Sequence, residues 1–308
     1  MLDGVTRRRI PLPETGVEIA VLDWGGEGPP ALLHHANGFC AALWAPVVTH
    51  LRPHFRVFAV DARGHGDSSR PEGREAFAWP ILASDLAAVG AELLAGVGAE
   101  RFALGLGHSF GGTLTLAAAS QRDLYDRIVL VDPVLYPSTL PAKQQRGSEL
   151  SVRARKRRAV WQSRVEAREF FLGKDLFKTW RKEALDLYVA EGLRDRADGS
   201  VELKCDPEVE SWIFEGPADP ANRATSTGPP GLDNEVAAAK LQIPALLIWA
   251  SQGNFPRVLY EGIASQMRSG RIEDMAAGHL VPMEEPDQVA ASVLRFCGRA
   301  ETESRALP

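Results

Sequence analysis

The sequence predicts an α/β fold in which eight strands form a mostly parallel sheet, helices cover both faces, and one long insertion follows the sixth strand. Three observations carry this. Short apolar runs alternate with stretches of helical spacing, the pattern of strands buried on both faces and joined by crossover helices. At Gly107-His108-Ser109-Phe110-Gly111 an apolar run ends in a glycine turn, and a helix-forming run follows at once. After Pro141 the alternation stops, and it resumes only at Ile243.

In chain order, residues 5 to 24 alternate apolar and polar around Pro11, Pro13 and Gly16, which predicts two antiparallel strands joined by a turn. Ala31 to His35 is a short buried strand ending in the loop Ala36-Asn37-Gly38-Phe39. Ala41 to Leu51 is helical, with Trp44 and Val48 on one face. Phe55 to Asp61 is a strand, and Ile81 to Leu94 a helix with apolar positions at helical spacing. The strand, turn and helix around Ser109 come next, then a buried strand at Ile128 to Asp132.

From about 142 to 215 the chain is charged, aromatic and helical, with no buried strand run. Ile213 through Pro230 is a loop rich in Pro, Gly and Ala. A strand at Ile243 to Trp249, a helix at Val258 to Met267, a weak strand at Arg271 to Met275 and a helix at Pro286 to Cys297 complete the core, before a frayed polar tail from Glu301. A structureless loop of the insertion's length is improbable in a compact domain, so residues 140–230 are expected to be a helical cap between two core segments, 1–139 and 231–308.

The totals exclude several classes. Hydrophobic content of 45% and charged content of 24% suit a globular chain with ample core, and a net charge of −5 gives no reason to expect nucleic acid or an anionic membrane as partner. No apolar run is expected to span a bilayer, and the N-terminal stretch lacks the apolar core of a secretory signal. Cys40, Cys205 and Cys297 are odd in number and widely spaced, which predicts reduced thiols and a cytoplasmic setting in place of a disulfide or zinc framework. The basic run Arg153 to Arg158, with glutamates nearby, is expected to be a solvated helix face.

Ser109 sits where a sharp strand-to-helix turn exposes a hydroxyl. Gly107 and Gly111 leave room for the crowded backbone, and the helix aims its free N–H groups at the same point. A serine hydroxyl is a weak nucleophile and needs a base within hydrogen-bond reach. Of the seven histidines, His279 lies in a loop between the last strand and last helix, where it can reach Ser109. His65 is expected to bond within its own turn, His108 to point away from Ser109, and His34 and His35 to tie loops together.

Four motifs in order resemble the α/β-hydrolase superfamily, in its capped esterase-like group: His35-Ala36-Asn37-Gly38, followed nine positions on by Trp44; Asp61-Ala62-Arg63-Gly64-His65-Gly66-Asp67-Ser68; Gly107 to Gly111; and Gly278-His279-Leu280-Val281-Pro282-Met283-Glu284-Glu285-Pro286. The resemblance covers roughly 15–135 and 240–300. It implies a carboxylic-ester hydrolase with Ser109 as nucleophile and His279 as base. Backbone N–H groups of Phe110 and Asn37 form the oxyanion hole, or Ala36 replaces Asn37 if the register slips by one. The substrate is a small-molecule ester, and no cofactor or metal is called for.

One departure stands out. In most relatives the acid follows the seventh strand, where this chain has Gly253 and Asn254 and no carboxylate. Some members keep the acid after the sixth strand, which here is Asp132, and the order Ser109, Asp132, His279 then fits. Otherwise Asp132 caps its loop ahead of Pro133, and Asn254 or a water orients His279. Aromatic residues of the insertion, Trp161, Phe170, Phe171, Phe177, Trp180, Tyr188, Trp212 and Phe214, are expected mostly to pack it on the core and in part to line an apolar pocket.

Other readings stay open: lactone or C–C bond hydrolysis by the same three residues; chemistry in which His279 is the base and Ser109 only assists; and a non-catalytic binding protein on the same scaffold. Haloalkane dehalogenase and epoxide hydrolase chemistries are disfavoured, since by the resemblance they use aspartate where this chain has Ser109.

Overall fold

The computed structural model describes residues 2–135, 147–216 and 232–299. Its strands are β1 (Thr6–Leu12), β2 (Val17–Asp23), β3 (Pro30–His34), β4 (Arg56–Val60), β5 (Leu104–His108), β6 (Ile128–Val131), β7 (Val160–Trp161), β8 (Leu193–Asp195), β9 (Val201–Leu203), β10 (Ala245–Ala250) and β11 (Gly270–Met275). Eight of them form one sheet in the order β1-β2-β4-β3-β5-β6-β10-β11. β2 pairs antiparallel with β1 and β4, and every other pairing in this sheet is parallel.

Successive side chains on a strand face opposite ways, and here both faces are apolar. Ala31 and Leu33 of β3, Val57 and Ala59 of β4, and Val129 and Val131 of β6 enter one buried cluster, together with Trp44 and Val48. Leu32, Phe58, Val60, Ile128 and Leu130 enter the other. That is why these strands are continuous apolar runs in the sequence. The outer strand β1 carries Arg7, Arg8 and Arg9, charges that discourage pairing with another chain.

Helices α1 (Ala45–Leu51) and α11 (Pro286–Phe296) pack together. α2 (Trp79–Val97), α3 (Phe110–Gln121), α8 (Asn234–Lys240) and α9 (Arg257–Gln266) contribute to the cluster around Leu32. The helix expected at 81–94 is longer than its apolar spacing suggested. Pro80 is tolerated in the first turn, and the chain leaves the helix at Gly98 in a left-handed conformation. Against the expectation that no apolar run spans a bilayer, the 19 residues of α2 are long and apolar enough, by length and composition, to cross a membrane. That apolarity is spent on the sheet, where Leu82, Leu86, Val89 and Leu93 are buried. Residues 41–44, expected to open an α-helix, form a 3₁₀ turn that leads into α1.

Between β6 and β10 lie α4 (Gly147–Arg155), α5 (Arg164–Leu172), α6 (Lys182–Glu191) and α7 (Pro207–Glu215). This segment is not purely helical, as expected, because β7, β9 and β8 form an antiparallel sheet of their own. Those strands are two or three residues long, too short for a period of two to be visible. Ile213, expected to begin a loop, belongs to α7, which Asp206 caps by accepting from Glu208 N–H at 2.8 Å. The expected domain boundaries, most of the Pro/Gly/Ala-rich stretch and the polar tail fall outside the described residues.

The basic run is also not one solvated face. Arg155 and Arg158 pair with Glu208 and Glu166 near the surface, but Arg157 turns inward to Glu210. Of the insertion's aromatic side chains, Trp161, Phe171, Phe177, Trp180 and Tyr188 are buried, and Phe39 of the core packs on Trp180 and Tyr188.

Candidate active site

Strand β5 has alternate glycines on the face toward α3. A Cβ on Gly105 would press on Tyr125 at 2.8 Å. One on Gly107 would strike Thr115 Oγ1 at 2.6 Å, and one on Gly111 the His34 ring at 2.5 Å. The missing side chains let α3 start immediately above the strand. Ser109 takes the turn with φ 55° and ψ −122°, a left-handed backbone that L-residues rarely adopt. Among the described residues one other non-glycine has a positive φ: Asp132, at the end of the neighbouring strand β6. Each such residue costs about 1–3 kcal/mol. Surrounding hydrogen bonds hold both in place, Ser109 N–H to Val131 O at 2.9 Å and Asp132 N–H to Ile248 O at 2.8 Å.

Ser109 Oγ lies 2.8 Å from His279 Nε2, and His279 Nδ1 lies 2.6 Å from Asp132 Oδ2. Asp132 is fully buried. Its other oxygen accepts from Ala250 N–H at 3.1 Å and from the Tyr260 hydroxyl at 2.7 Å, and that hydroxyl also lies 3.0 Å from Pro133 O. Tyr260 was not singled out from the sequence, where it is one apolar position on an amphipathic helix.

Asn254 is exposed and forms no hydrogen bond among the described residues. Gly253 lies beside the Asp132 carboxyl instead, and a Cβ there would stand 3.1 Å from Asp132 Oδ2. A side chain at position 253 would therefore crowd the Asp132 carboxyl.

The His279 loop is braced on two sides. Glu284 accepts from Gly278 N–H at 2.6 Å, and the His279 carbonyl accepts from His108 Nε2–H at 2.8 Å. Burial, with His279 adding to it, pushes the His108 pKa down to about 3, so this ring is a neutral donor. The Phe255 ring packs edge-on against His279 at 5.5 Å.

The other buried histidines are also neutral, each held in one tautomer. His35 donates from Nδ1 to Ala36 O and accepts Ala62 N–H on Nε2. His65 donates to Arg63 O and accepts Gly38 N–H on Nε2. Burial pushes the His34 and His65 pKa values down to about 4, and that of His35 well below the ordinary range with help from its imidazole neighbours.

The N–H groups of Asn37, Ala36 and Phe110 donate to no acceptor among the described residues. Phe110 opens α3, where a helix N-terminus leaves its N–H groups free. The Asn37 side chain is occupied, donating from Nδ2 to the Glu210 carbonyl at 2.9 Å. Among the described residues no group of three or more His, Cys, Asp or Glu side chains is arranged to hold a metal ion.

A parallel sheet with a strained serine at its strand-to-helix turn and a histidine above it is the architecture of the α/β hydrolases. Residues 31–292 match the model of the alpha/beta hydrolase family, and the chain belongs to that family. Over 132 residues it is 35% identical to a 2-(acetamidomethylene)succinate hydrolase of Mesorhizobium japonicum, covering 41% of this chain and 45% of that protein. Over 114 residues it is 34% identical to haloalkane dehalogenase 2 of Mycobacterium tuberculosis, covering 37% and 38%. The matched segments span less than half of either relative.

Among solved structures, an E-2-(acetamidomethylene)succinate hydrolase superposes with a TM-score of 0.77 at 19% identity, covering 96% of this chain and 99% of that one. A thioesterase domain from the curacin biosynthetic pathway does so with 0.73 at 19%, covering 95% and 100%. At these identities the structures establish the fold. The named relatives are hydrolases, and what this chain shares with them is the family and the fold.

Proposed function

We propose that the protein is a serine hydrolase that cleaves carboxylic esters through an acyl-enzyme, with Ser109 as nucleophile, His279 as base and Asp132 as acid. The observation that carries this is the continuous hydrogen-bonded line from Ser109 Oγ through both ring nitrogens of His279 to the buried Asp132. His279 Nε2 takes the hydroxyl proton as Oγ attacks the ester carbonyl carbon. The Asp132 carboxylate holds the Nδ1–H tautomer and stabilises the imidazolium that forms.

The negative charge on the carbonyl oxygen falls to the free N–H groups of Phe110 and of Asn37, or of Ala36 one residue earlier. Each such donor supplies about 3–4 kcal/mol of transition-state stabilisation. Collapse expels the alkoxide, which leaves as the alcohol with the proton from His279. Water, deprotonated by the same nitrogen, then attacks the acyl-enzyme and releases the acid. The insertion is read as a cap, its inward aromatic side chains walling an apolar pocket for the acyl or alcohol group.

The nucleophile also argues against dehalogenation, despite the haloalkane dehalogenase relative. A serine displacing halide from an sp³ carbon would leave an ether, with no carbonyl for water to reopen. A second reading, in which the same three residues cleave a lactone or a C–C bond, is equally consistent with relatives that are hydrolases of other substrates.

The test is turnover of p-nitrophenyl esters of increasing acyl length by the wild type and by Ser109→Ala. The variant is expected to lose at least about 10⁴-fold in kcat/KM. Equal rates for the two proteins would sink the acyl-enzyme route. A folded wild type that is labelled by a fluorophosphonate yet turns over no ester would shift the weight to the second reading.

A further inference from the structure

The feature that this mechanism leaves unused is a knot of charge between the insertion and the loop carrying Asn37. Arg157, just past the end of α4, reaches Glu210 of α7 at 2.7 Å, and both side chains are largely buried. The second guanidinium nitrogen donates to the Tyr188 hydroxyl on α6, and that hydroxyl donates to Gly38 O at 3.4 Å. Directly beneath, the Glu210 carbonyl takes the Asn37 amide, and Gly38 N–H is fixed from the sheet side by His65. The insertion thus holds the Asn37 side chain and the Gly38 carbonyl, while the core holds the Gly38 N–H.

Gly38 has φ 82°, and a Cβ there would strike Glu210 Oε1 at 2.7 Å, so the loop meets the pair at the closest approach a backbone allows. α7 itself is well anchored. Trp79 Nε1 donates to Ile213 O at 3.0 Å, and Ser151 of α4 bonds Ser211 at 2.9 Å.

An ion pair this deep contributes little net stability, and a well-packed apolar pair often does as well or better. What it supplies is direction. We propose that Arg157, Glu210 and Tyr188 are positioning residues for the reaction, holding α7 on the Asn37–Gly38 segment so that the N–H donors of that loop face the substrate carbonyl. This rests on the ester-hydrolase reading. It makes the oxyanion site a joint product of core and insertion.

The experiment pairs ester kinetics with hydrogen exchange of residues 35–40. The double variant Arg157→Met/Glu210→Gln removes both charges together, so that no buried carboxylate is left unpaired and the fold is retained. A misplacement on the order of 1 Å costs up to about 100-fold, so kcat is expected to fall about 10- to 100-fold while KM changes less than about 3-fold. Exchange at 35–40 should accelerate. Arg157→Lys, which keeps the charge but loses the two-pronged grip, should fall between the double variant and the wild type.

A folded double variant with wild-type kcat, or with unchanged exchange at 35–40, overturns the positioning role. A fall in thermal stability with kcat unaffected also overturns it, since it would make the pair purely structural. Ester turnover by the wild type that does not depend on Ser109 is the separate sign that the hydrolase reading is wrong.

Discussion

The sheet and the insertion are built on different principles. In the sheet, strands buried on both faces carry the structure, and the polar groups among them include neutral imidazoles, tightly bonded carboxyls and one buried ion pair, Arg63–Asp85. All seven histidines lie outside the insertion. The insertion has short elements joined by exposed ion pairs, such as Arg164–Asp195, Arg168–Asp186 and Arg194–Glu202, around a core of aromatic rings. One region is organised by burial and the other by partnership. They should therefore fail under different stresses, the sheet in acid and the insertion through its individual contacts.

Acid should have the largest effect. His34, His35, His65 and His108 are held neutral in the fold, with pKa values of about 4, well below ordinary, about 4 and about 3, whereas in the unfolded chain each takes a proton near pH 6.5. Where the unfolded state binds more protons, stability falls as pH falls. Their contribution is intact above pH 6.5 and drains away toward pH 4, each group giving up about 1.4 kcal/mol per pH unit.

Asp61 works the other way. Burial pushes its pKa up to about 6, against hydrogen bonds from Ala41 and Asp67 N–H, so it regains stability as pH falls through that range. Asp85, whose pKa burial raises against its bonds from Arg63, acts in the same sense, and these two carboxyls set against four imidazoles leave a net loss of stability toward acid. Denaturant midpoints between pH 7 and 4.5 measure it. A flat profile would mean that the buried imidazoles are already protonated or hydrated in the fold.

Next comes Asp132, the proposed acid. Asp132→Asn should cost about 10⁴-fold in kcat, because an amide favours the wrong His279 tautomer and cannot stabilise the imidazolium. Asn254→Ala should leave turnover within about 2-fold, as expected of a surface side chain away from the reacting groups. The reverse ranking would return the acid's role to the loop after β10.

The smallest effects set packing against pairing. Leu33→Ala, in the middle of the sheet, should cost about 2–5 kcal/mol. Arg194→Ala, which breaks an exposed pair within the insertion, should cost about 0–1 kcal/mol. Denaturant titration of both variants is the check. Equal losses would mean that the contrast between burial and partnership does not hold.

The same contrast explains what could be read from the sequence. The central strands of the sheet were legible because they are continuous apolar runs, and the serine turn because its glycines are forced by close contacts. The strands β7, β8 and β9 were not, since two or three residues carry no period. The inward turn of Arg157 was hidden within a basic run, because its partner Glu210 lies 53 positions away. Asp132 was visible as a candidate beside an empty loop position. Tyr260, which grips its second oxygen, was one more apolar position on α9, and nothing local marks a hydroxyl whose acceptor is 128 residues distant.

The origin of Asp132 on β6 has a mechanical consequence. Serine and acid sit at the ends of two strands that share a hydrogen-bond ladder, so their spacing is fixed by sheet geometry and carries almost none of the entropy of a loop. Of the three residues, His279 alone rides on a loop. The site sets two groups held by the sheet against one held by a braced loop, and neither Ser109 nor Asp132 is carried by the loop after β10. That loop is consequently relieved of supplying a carboxyl, and its remaining duties are a residue without a side chain beside Asp132 and the Phe255 ring against His279.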